Sequence, residues 1–545
     1  MGKRRVILAI LFVVFFYLAG LNNHWAVKSD SGLYLALGRS LAEGRGMEFN
    51  GKQEWGIPPV VPLLIAGCWL LVGDQYWLIN LAMSLFGLGV VVLTYLTAKR
   101  LSAGLPEDLR PGLALGVVLI VGTSARLFID STRILTDVPF TFFVMLGMYA
   151  FVRGRGGYWA WYLLGSAALL LATLTRLPGL FFFGGVFVAV LVEPRREGYA
   201  KRLVAMLAGG ALLAVGFLLW NHFLRSRSDP GTIDYVQAVP LQQFNLLRPS
   251  RWAEIGQALR NFPTALCGSI VGQKLHYFNL LPAAVLLVGV WPMARYKQLR
   301  VLFPLLAYVG FLIAYSPAAV AARYFLPVMP LLVYGLLLGI QTLTGWFKKR
   351  PALATGAGRR NAVRHGWGII VVVGICLAIS VPKAVREIYW MRYPRFYEVF
   401  DGGRWQGYMD LGVHLRRRSQ AKTDRVLAPK AAIVHYLSRV PTDTCFQWKN
   451  QAIGHFHDLP PAEFAEAAAD GPYRFIVVPT DKGGWSEAAM RRLGEKGLFG
   501  SPSLFEGLAV YERLPAPSEG GPWPVGPSGS RGTALEVPHL SRRTL

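Results

Sequence analysis

The chain has 545 residues, of which 53% are hydrophobic, and its mean hydropathy of +0.38 is too high for a set of soluble domains of this length. The formal net charge of +26 at pH 7 would suit a nucleic-acid partner, but the basic residues concentrate in short loops between apolar runs. Composition and charge placement therefore exclude a soluble enzyme and a nucleic-acid-binding protein, and they predict a polytopic protein surrounded by membrane lipids.

The apolar runs have lengths that cross a hydrocarbon layer of about 30 Å at about 1.5 Å per residue. The first run follows Lys3, Arg4 and Arg5, which predicts a cytoplasmic N-terminus and an uncleaved first helix. The proposed inner segments carry 21 Lys and Arg against four acids, and this imbalance sets the predicted orientation. We predict about eleven spans, near residues 6–22, 76–98, 111–125, 137–152, 158–174, 178–192, 203–221, 278–294, 300–316, 324–345 and 367–383.

Two long loops are predicted on the outer face, at residues 23–75 and 222–277. The first contains "SDSGLYLALGRSLAEG", whose apolar residues fall at helical spacing, followed by "WGIPPVVPLLIAGCWLLVG". Prolines at 58, 59 and 62 disfavour a deep span in the second stretch. We therefore predict a helix lying along the outer surface there.

The sequence pattern changes at about residue 384. "RVLAP" and "YRFIVVP" are typical of short buried strands, with helical stretches such as "PAEFAEAAAD" between them, so residues 384–514 are predicted to form a small α/β domain. The odd number of spans places this domain outside the cell and leaves residues 1–383 as the membrane domain. The tail at 515–545 is rich in Pro, Gly and Ser and is predicted to be disordered. The four cysteines show no CxxC or metal-ligand spacing.

Charged residues gather at the predicted outer ends of the spans. A proton relay or an ion path would need them at mid-bilayer instead. Their order and their shared side indicate a cavity that opens to the outside. The residues concerned are Asp30, Arg126, Asp130, Arg133, Asp137, Arg176, Arg323 and Tyr324.

Each of these residues also has an ordinary structural interpretation. Asp137, with Pro139 two residues later, fits a helix N-cap, which alone contributes about 1 kcal/mol. Asp30 fits an ordinary loop acid. Arg176 can extend its charge to lipid headgroups, and Arg323 can do the same at a helix start broken by proline. Taken singly, the residues leave both interpretations open.

In combination, the motifs resemble those of GT-C type integral-membrane glycosyltransferases, especially the branch of protein O-mannosyltransferases and the lipid A aminoarabinose transferase. The resemblance covers roughly residues 1–345. It rests on "SDSGLYLALGRSLAEG", "WGIPPVVPLL", "TRILTDVPFTFF", "LTRLPGL" and "RYFLPVMPLL". It implies a mostly α fold, a polytopic membrane helical bundle of the GT-C type with the small C-terminal extracytoplasmic α/β domain, in the plasma or inner membrane of the cell.

The resemblance also implies an enzyme that transfers a sugar, with inversion, from a polyprenyl-phosphate donor to an acceptor hydroxyl on the outer face. The acceptor would be a lipid, a glycan or a protein. Carried over residue by residue, Asp30 corresponds to the general base, and Asp137 to a second acid that holds acceptor or donor. Arg176, Arg323 and Tyr324 correspond to positions near the lipid phosphate.

The chain departs from the family pattern at two places. Many relatives carry a pair of acids in the first loop, whereas serines flank Asp30 here. Many also carry a lysine just before the Pro-Pro pair, where this chain has Gly56 and Ile57. Neutralisation of the donor phosphate is therefore assigned to Lys52, to Arg45 or to the arginines of the outer face.

Further expectations concern the metal and the competing functions. Some related oligosaccharyltransferases use a divalent ion with paired acids, but Asp130 and Asp137 are seven residues apart, so we expect no metal and no other cofactor. Asp130 and Arg133 remain possible site residues. The alternatives are an oligosaccharyl transferase of the same fold, a transporter or flippase of lipid-linked substrates with internal repeats, or a scaffold in which the acids are replaceable.

Overall fold

The computed structural model is mostly helical, as the sequence predicts. It describes residues 3–110, 112–154, 158–194, 198–229, 249–271, 280–315, 322–348, 358–393, 396, 404–419, 424–428, 430–444, 446–448, 456–458, 460–480, 484–505 and 508–514. The predicted tail at 515–545 and residues 230–248 of the predicted outer loop lie outside the described residues.

The apolar runs form helices that pack into a bundle. Their bounds are α1 (Lys3–Ala19), α2 (Ser29–Ala42), α3 (Val60–Val72), α4 (Tyr76–Ala103), α5 (Leu113–Gly122), α6 (Ala125–Ser131), α7 (Asp137–Arg153), α8 (Trp159–Thr173), α9 (Gly179–Val192), α10 (Tyr199–Arg227), α11 (Pro249–Val271), α12 (Leu280–Arg295), α13 (Leu299–Tyr315), α14 (Met329–Lys348) and α15 (Gly358–Met391). Between α2 and α3, strands β1 (Glu48–Phe49) and β2 (Lys52–Gln53) form an antiparallel hairpin.

Several of these helices are suited to a membrane. Among the described residues, three helices are long and apolar enough to cross one, namely Tyr76–Ala103, Tyr199–His222 and Trp367–Met391. Helices α5 and α6 pass the same test as a pair, although they are bent by 50° at the break between them. Every predicted span contains a helix, and most of the remaining ones are shorter apolar helices. The number that crosses the membrane stays a prediction.

Helix α11 is among the helices that were not predicted. Helix α11 lies within the predicted outer loop 222–277, and its Ala258, Leu266 and Ile270 side chains are buried in the main core of the bundle. Its sequence, "PSRWAEIGQALRNFPTALCGSIV", mixes charged, polar and apolar residues and contains an internal proline. Hydropathy alone therefore does not separate this helix from a loop.

Glycine allows two helices of the bundle to cross at very short range. A Cβ atom on Gly289 of α12 would lie 1.9 Å from the carbonyl oxygen of Gly335 on α14. A Cβ atom on Gly339 would lie 2.2 Å from the carbonyl oxygen of Val285. Such backbone-to-backbone contact is typical of small-residue helix crossings in membranes.

The C-terminal region has alternating helices and strands. These are α16 (Arg404–Arg418), β3 (Val426–Ala428), α17 (Ala431–Ser438), β4 (Thr442–Thr444), β5 (Phe446–Trp448), β6 (Phe456–Asp458), α18 (Pro461–Asp470), β7 (Phe475–Pro479), α19 (Gly484–Glu495), β8 (Ser503–Phe505) and β9 (Leu508–Glu512). A five-stranded sheet has the order β4-β3-β7-β9-β8, in which β4, β3 and β7 run parallel. The "RVLAP" and "YRFIVVP" stretches form its buried strands β3 and β7.

The bundle contains a buried ion pair between Arg300 and Glu193. Arg300 at the start of α13 donates from Nε and Nη2 to both carboxylate oxygens of Glu193, each at 2.6 Å. Its Nη1 donates to the carbonyl oxygen of Phe151, at 2.9 Å. Both charged side chains are nearly inaccessible, so this pair holds together the ends of α7, α9 and α13.

We expect Arg300→Met to destabilise the protein by about 3–5 kcal/mol, because it removes both hydrogen bonds to the buried Glu193 carboxylate. Glu193 then keeps only the more distant Arg202 guanidinium, at 3.9 Å, among the described residues. The measurement is thermal unfolding in detergent. Arg295→Met is the matched control, since Arg295 is exposed at the end of α12 and, among the residues that the structure describes, contacts only the ring of Trp291. Equal unfolding temperatures for the two variants would show that the buried pair does not form.

Candidate active site

Asp30 lies in the first turn of α2, where a carboxylate interacts favourably with the helix dipole. Its neighbour Ser31 is fully buried and fixes the start of the helix. The Ser31 hydroxyl donates to the carbonyl oxygen of Lys28 at 2.6 Å and accepts from the Lys28 amide at 3.0 Å. The indole Nε1 of Trp25 also donates to it, at 2.9 Å. The Asp30 side chain itself remains 44% exposed.

Asp137 is the first residue of α7, and Thr136 occupies the N-cap position without a capping hydrogen bond. The interpretation of Asp137 as a helix cap is therefore wrong. Its carboxylate instead accepts a hydrogen bond from Arg176. The Asp137 side chain is only 3% exposed, so the carboxylate depends on this partner for its charge to be tolerated.

Arg176 is presented by the turn between α8 and α9. Two threonines on either side of the helix end, Thr173 and Thr175, donate their hydroxyls to carbonyl oxygens one turn back, at 2.8 and 2.7 Å. The Arg176 amide closes the last turn by donating to Ala172, at 2.7 Å. Pro178 then begins α9 as its N-cap residue. The "LTRLPGL" motif thus builds a rigid turn with the arginine at its apex.

Arg323 and Tyr324 lie on a short 3₁₀ turn, Ala322–Phe325. Arg323 Nη2 donates to Asp30 Oδ2 at 3.1 Å, and its Nε lies 4.0 Å from Asp137 Oδ1. The guanidinium carbons of Arg176 and Arg323 lie 5.1 Å and 4.9 Å, respectively, from the centroid of the Tyr324 ring. We call these five residues the acid–arginine cluster; Arg323 joins its two acids.

Access within the acid–arginine cluster is uneven. Asp30 and Arg323 are the open members, with side chains 44% and 35% exposed, whereas Arg176 is 19% exposed. The Nε of Arg323 is buried and, within the described part of the chain, has no hydrogen-bond acceptor. The cluster therefore offers an accessible carboxylate beside a partly exposed guanidinium, which suits a bound anion next to a proton acceptor.

Asp130 and Arg133 form a separate group. Arg126 Nε donates to the fully buried Asp130 carboxylate at 2.7 Å, and Arg133 Nη1 lies 3.9 Å from it. Arg133 Nη2 also lies 3.6 Å from Glu387 Oε1 on α15. The group links α6 to α15. Sequence reasoning missed Glu387 because the last span was predicted to end at residue 383, before it.

The structure does not bring Lys52 into the acid–arginine cluster. Lys52 is exposed on β2 and forms no ion pair with Asp30 or Asp137, all three residues being described. Arg45 is engaged by Glu43 and lies 3.5 Å from Glu48. Among the described residues, no group of three or more His, Cys, Asp or Glu side chains is arranged to hold a metal ion.

Comparison with known proteins places this fold in a class. The chain has the fold of the GT-C membrane glycosyltransferases, which confirms the resemblance inferred from the motifs. It is similar to the crystal structure of ArnT from Cupriavidus metallidurans bound to undecaprenyl phosphate, with 14% identity, a TM-score of 0.58 and coverage of 96% of this chain and 100% of that one. Residues 55–224 match the model of the dolichyl-phosphate-mannose-protein mannosyltransferase family.

Two further proteins are similar. The archaeal oligosaccharyltransferase AglB from Archaeoglobus fulgidus, in complex with an inhibitory peptide and a dolichol-phosphate, shares 11% identity at a TM-score of 0.52, over 94% of this chain and 74% of that one. An uncharacterized protein of Aquifex aeolicus (strain VF5) is 26% identical over 222 residues, which are 38% of this chain. The alignment spans 43% of that relative's length.

The Asp137–Arg176 pair gives a stability prediction. Asp137→Leu and Arg176→Met should each destabilise the protein by up to about 3 kcal/mol, because each removes one partner of a buried, hydrogen-bonded ion pair. The double variant Asp137→Leu/Arg176→Met should recover most of this loss, since apolar residues of similar volume replace a buried pair with little change in stability. Thermal unfolding of the four proteins measures the coupling. Strictly additive losses in the double variant would contradict a direct pair.

Proposed function

We propose that this protein is a membrane glycosyltransferase that moves one sugar from a polyprenyl-phosphate donor to an acceptor hydroxyl at the outer face of the membrane. The observation that carries the proposal is the acid–arginine cluster, in which an accessible carboxylate lies against a guanidinium at one end of a GT-C bundle. The undecaprenyl phosphate bound to ArnT and the dolichol-phosphate bound to AglB support the donor class.

Asp30 acts as the general base in this proposal. An acceptor hydroxyl is a weak nucleophile, and a carboxylate within hydrogen-bond reach takes its proton as the new bond to the anomeric carbon forms. The exposure of Asp30 supports this role, because the acceptor must reach the carboxylate. Direct displacement of the phosphate by the acceptor oxygen inverts the anomeric configuration.

The arginines serve the leaving group. A phosphate monoester has a second pKa of about 6, so the departing lipid phosphate needs no proton from the enzyme. It does need fixed positive charge where negative charge develops. Arg323, whose side chain is 35% exposed, and Arg176 meet this need, because a planar guanidinium pairs well with phosphate oxygens.

Asp137 and Tyr324 hold the arginines in place. The buried Asp137 carboxylate fixes Arg176 and approaches Arg323, so the phosphate would meet guanidiniums whose orientation is set before it binds. The Tyr324 ring contacts both guanidiniums, and the Tyr308 hydroxyl anchors the turn by donating to the Tyr324 carbonyl oxygen at 2.8 Å. Preorganised charge of this kind avoids reorganisation during the reaction.

The membrane bundle suits the donor. A polyprenyl tail stays in the bilayer while its phosphate lies at the interface, and a site at the helix ends meets it there. In the proposed orientation the N-terminus is cytoplasmic, and the acid–arginine cluster and the C-terminal domain face the extracytoplasmic side of the cell membrane. The acceptor, whether lipid, glycan or protein, approaches Asp30 from that side.

We expect Asp30→Asn to lower kcat for sugar transfer about 10²–10⁴-fold while unfolding at the wild-type temperature, because the amide cannot accept the proton. The assay uses purified protein and a panel of polyprenyl-phosphate sugars, with release of free polyprenyl phosphate as the readout. Asp470→Asn is the matched control: Asp470 is exposed at the end of α18, outside the acid–arginine cluster, so the activity of this variant should stay within about twofold of wild type.

Two outcomes would contradict the proposal. Normal turnover by Asp30→Asn would remove the base assignment. Release of lipid only from oligosaccharide-diphosphate donors would favour the oligosaccharyl transferase alternative. Comparison of the anomeric configuration in donor and product by NMR tests the inversion separately.

A further inference from the structure

The helix that carries Asp30 lies directly against a helix of the C-terminal domain. A Cβ atom on Gly32 of α2 would lie 3.0 Å from both the carbonyl carbon and the oxygen of Ala432 on α17, and 3.1 Å from the amide nitrogen of Ile433. All three atoms belong to backbone, which cannot move aside as a flexible side chain does. Gly32 is two residues from Asp30 in the sequence. At this position α2 and α17 are so close that a side chain larger than that of glycine does not fit between them.

A buried polar and aromatic contact closes the same interface. Arg39 of α2 donates from Nη1 to the Tyr436 carbonyl oxygen at 3.1 Å, and its guanidinium carbon lies 4.4 Å from the centroid of the Tyr436 ring. The ring of Trp25, which is fully buried, lies nearly perpendicular to the same Tyr436 ring, with the two ring centroids 5.0 Å apart. Trp25 also holds the Ser31 hydroxyl at the start of α2. The tyrosine of α17 is therefore connected to the residue next to Asp30.

The β1–β2 hairpin provides a second attachment. The Asn50 side chain donates to the Thr442 carbonyl oxygen at 2.6 Å and accepts from the Thr442 amide at 2.9 Å. Asn50 has a φ of 55°, a left-handed conformation that asparagine tolerates. Nearby, the ring centroids of Phe49 and His435 lie 4.8 Å apart. Burial at this contact lowers the pKa of His435. The hairpin and α2 thus dock on the same part of the C-terminal domain.

Another side of α2 packs closely against α3. A Cβ atom on Gly38 would lie 2.5 Å from Ile65 Cγ2 on α3, within the membrane domain. Helix α2 is therefore held between α3 and α17. Side chains from α2, α3 and α17 share one hydrophobic core, which includes Leu35, Ile65 and Ile433. Neither the bundle nor the C-terminal domain alone determines where α2 lies.

We propose that the C-terminal domain is a positioning element for the catalytic base: α17 holds α2 so that the Asp30 carboxylate stays against Arg323. The inference rests on the proposed function, in which Asp30 takes the acceptor proton. Arg176 and Arg323 belong to the bundle, so the donor phosphate is held independently of α17. A displacement of α2 should therefore slow the chemical step more than it weakens donor binding.

The principal test is Gly32→Ala. The new methyl group must push α2 away from the α17 backbone by a few tenths of an ångström or more. We expect kcat to fall about 10–100-fold, with KM for the lipid donor within about twofold of wild type. Gly67→Ala is the matched control, because Gly67 is also a helical glycine, on α3, and a Cβ atom there would meet nothing within 4 Å. Its kcat should stay at the wild-type value.

A second variant perturbs the attachment from a greater distance along the chain. Asn50→Gly removes both hydrogen bonds to Thr442 yet accommodates the left-handed backbone. We expect a smaller loss in kcat, about 3–10-fold, again with little change in KM. Asn50→Asp, which keeps the acceptor atom for the Thr442 amide, should recover part of the loss.

Hydrogen–deuterium exchange of the α2 amides, residues 29–42, reports on position without any substrate. Faster exchange there in Gly32→Ala and Asn50→Gly, but not in Gly67→Ala, supports the proposal. It would be overturned by unchanged α2 exchange and kcat in Gly32→Ala, or by a kcat loss that only follows the fraction of folded protein. If the wild-type protein transfers no sugar, both the proposed function and the positioning of a catalytic base are wrong. The hydrogen–deuterium exchange of α2 then still shows whether α17 holds this helix in place.

Discussion

The site depends on one interaction, the contact of Arg323 with two carboxylates that are distant in sequence. Asp30 enters from the first turn of α2 and Asp137 from the first turn of α7, and Arg323 lies 3.1 Å from one and 4.0 Å from the other. Asp137 is almost fully buried, and a buried carboxylate is tolerated only with a charged partner. The turn that carries Arg176 and the 3₁₀ turn that carries Arg323 must therefore both lie next to the first residue of α7, Asp137. The same constraint leaves Asp30 accessible beside a guanidinium, which is the arrangement that sugar transfer from a phosphate donor requires.

The rest of the architecture limits movement around that contact. Glycines at the α12–α14 crossing and the buried Arg300–Glu193 pair hold the bundle, which carries the arginines. Helix α2, which carries the accessible acid, is held from two sides by α3 and α17. The arginines and Asp30 are thus supported by different elements. On this division rests the proposal that the C-terminal region, which contributes no residue to the cluster, affects the rate of transfer.

Much of this arrangement could be predicted from the sequence. Hydropathy located a helix in every predicted span, and charge asymmetry assigned the five cluster residues to one side before their contacts were known. Other features leave no local pattern. Helix α11 mixes charged, polar and apolar residues. Glu387 lies beyond the predicted end of its span. Asp137 has the sequence pattern of a helix cap, although its carboxylate pairs with Arg176. Lys52 was chosen for its charge alone, and the structure does not bring it to the acids. The approach of Gly32 to Ala432 joins residues 400 positions apart, and no periodicity or composition signals such a contact.

The most direct test of the central claim is a cryo-EM map of the purified protein in a lipid nanodisc with undecaprenyl phosphate. The account predicts phosphate density in contact with the guanidiniums of Arg323 and Arg176, with the Asp30 carboxylate on the same side of the membrane and open to the extracytoplasmic solvent. Phosphate density at another end of the bundle, or an Asp30 carboxylate turned away from Arg323 and separated from Asp137 by tens of ångströms, would contradict it.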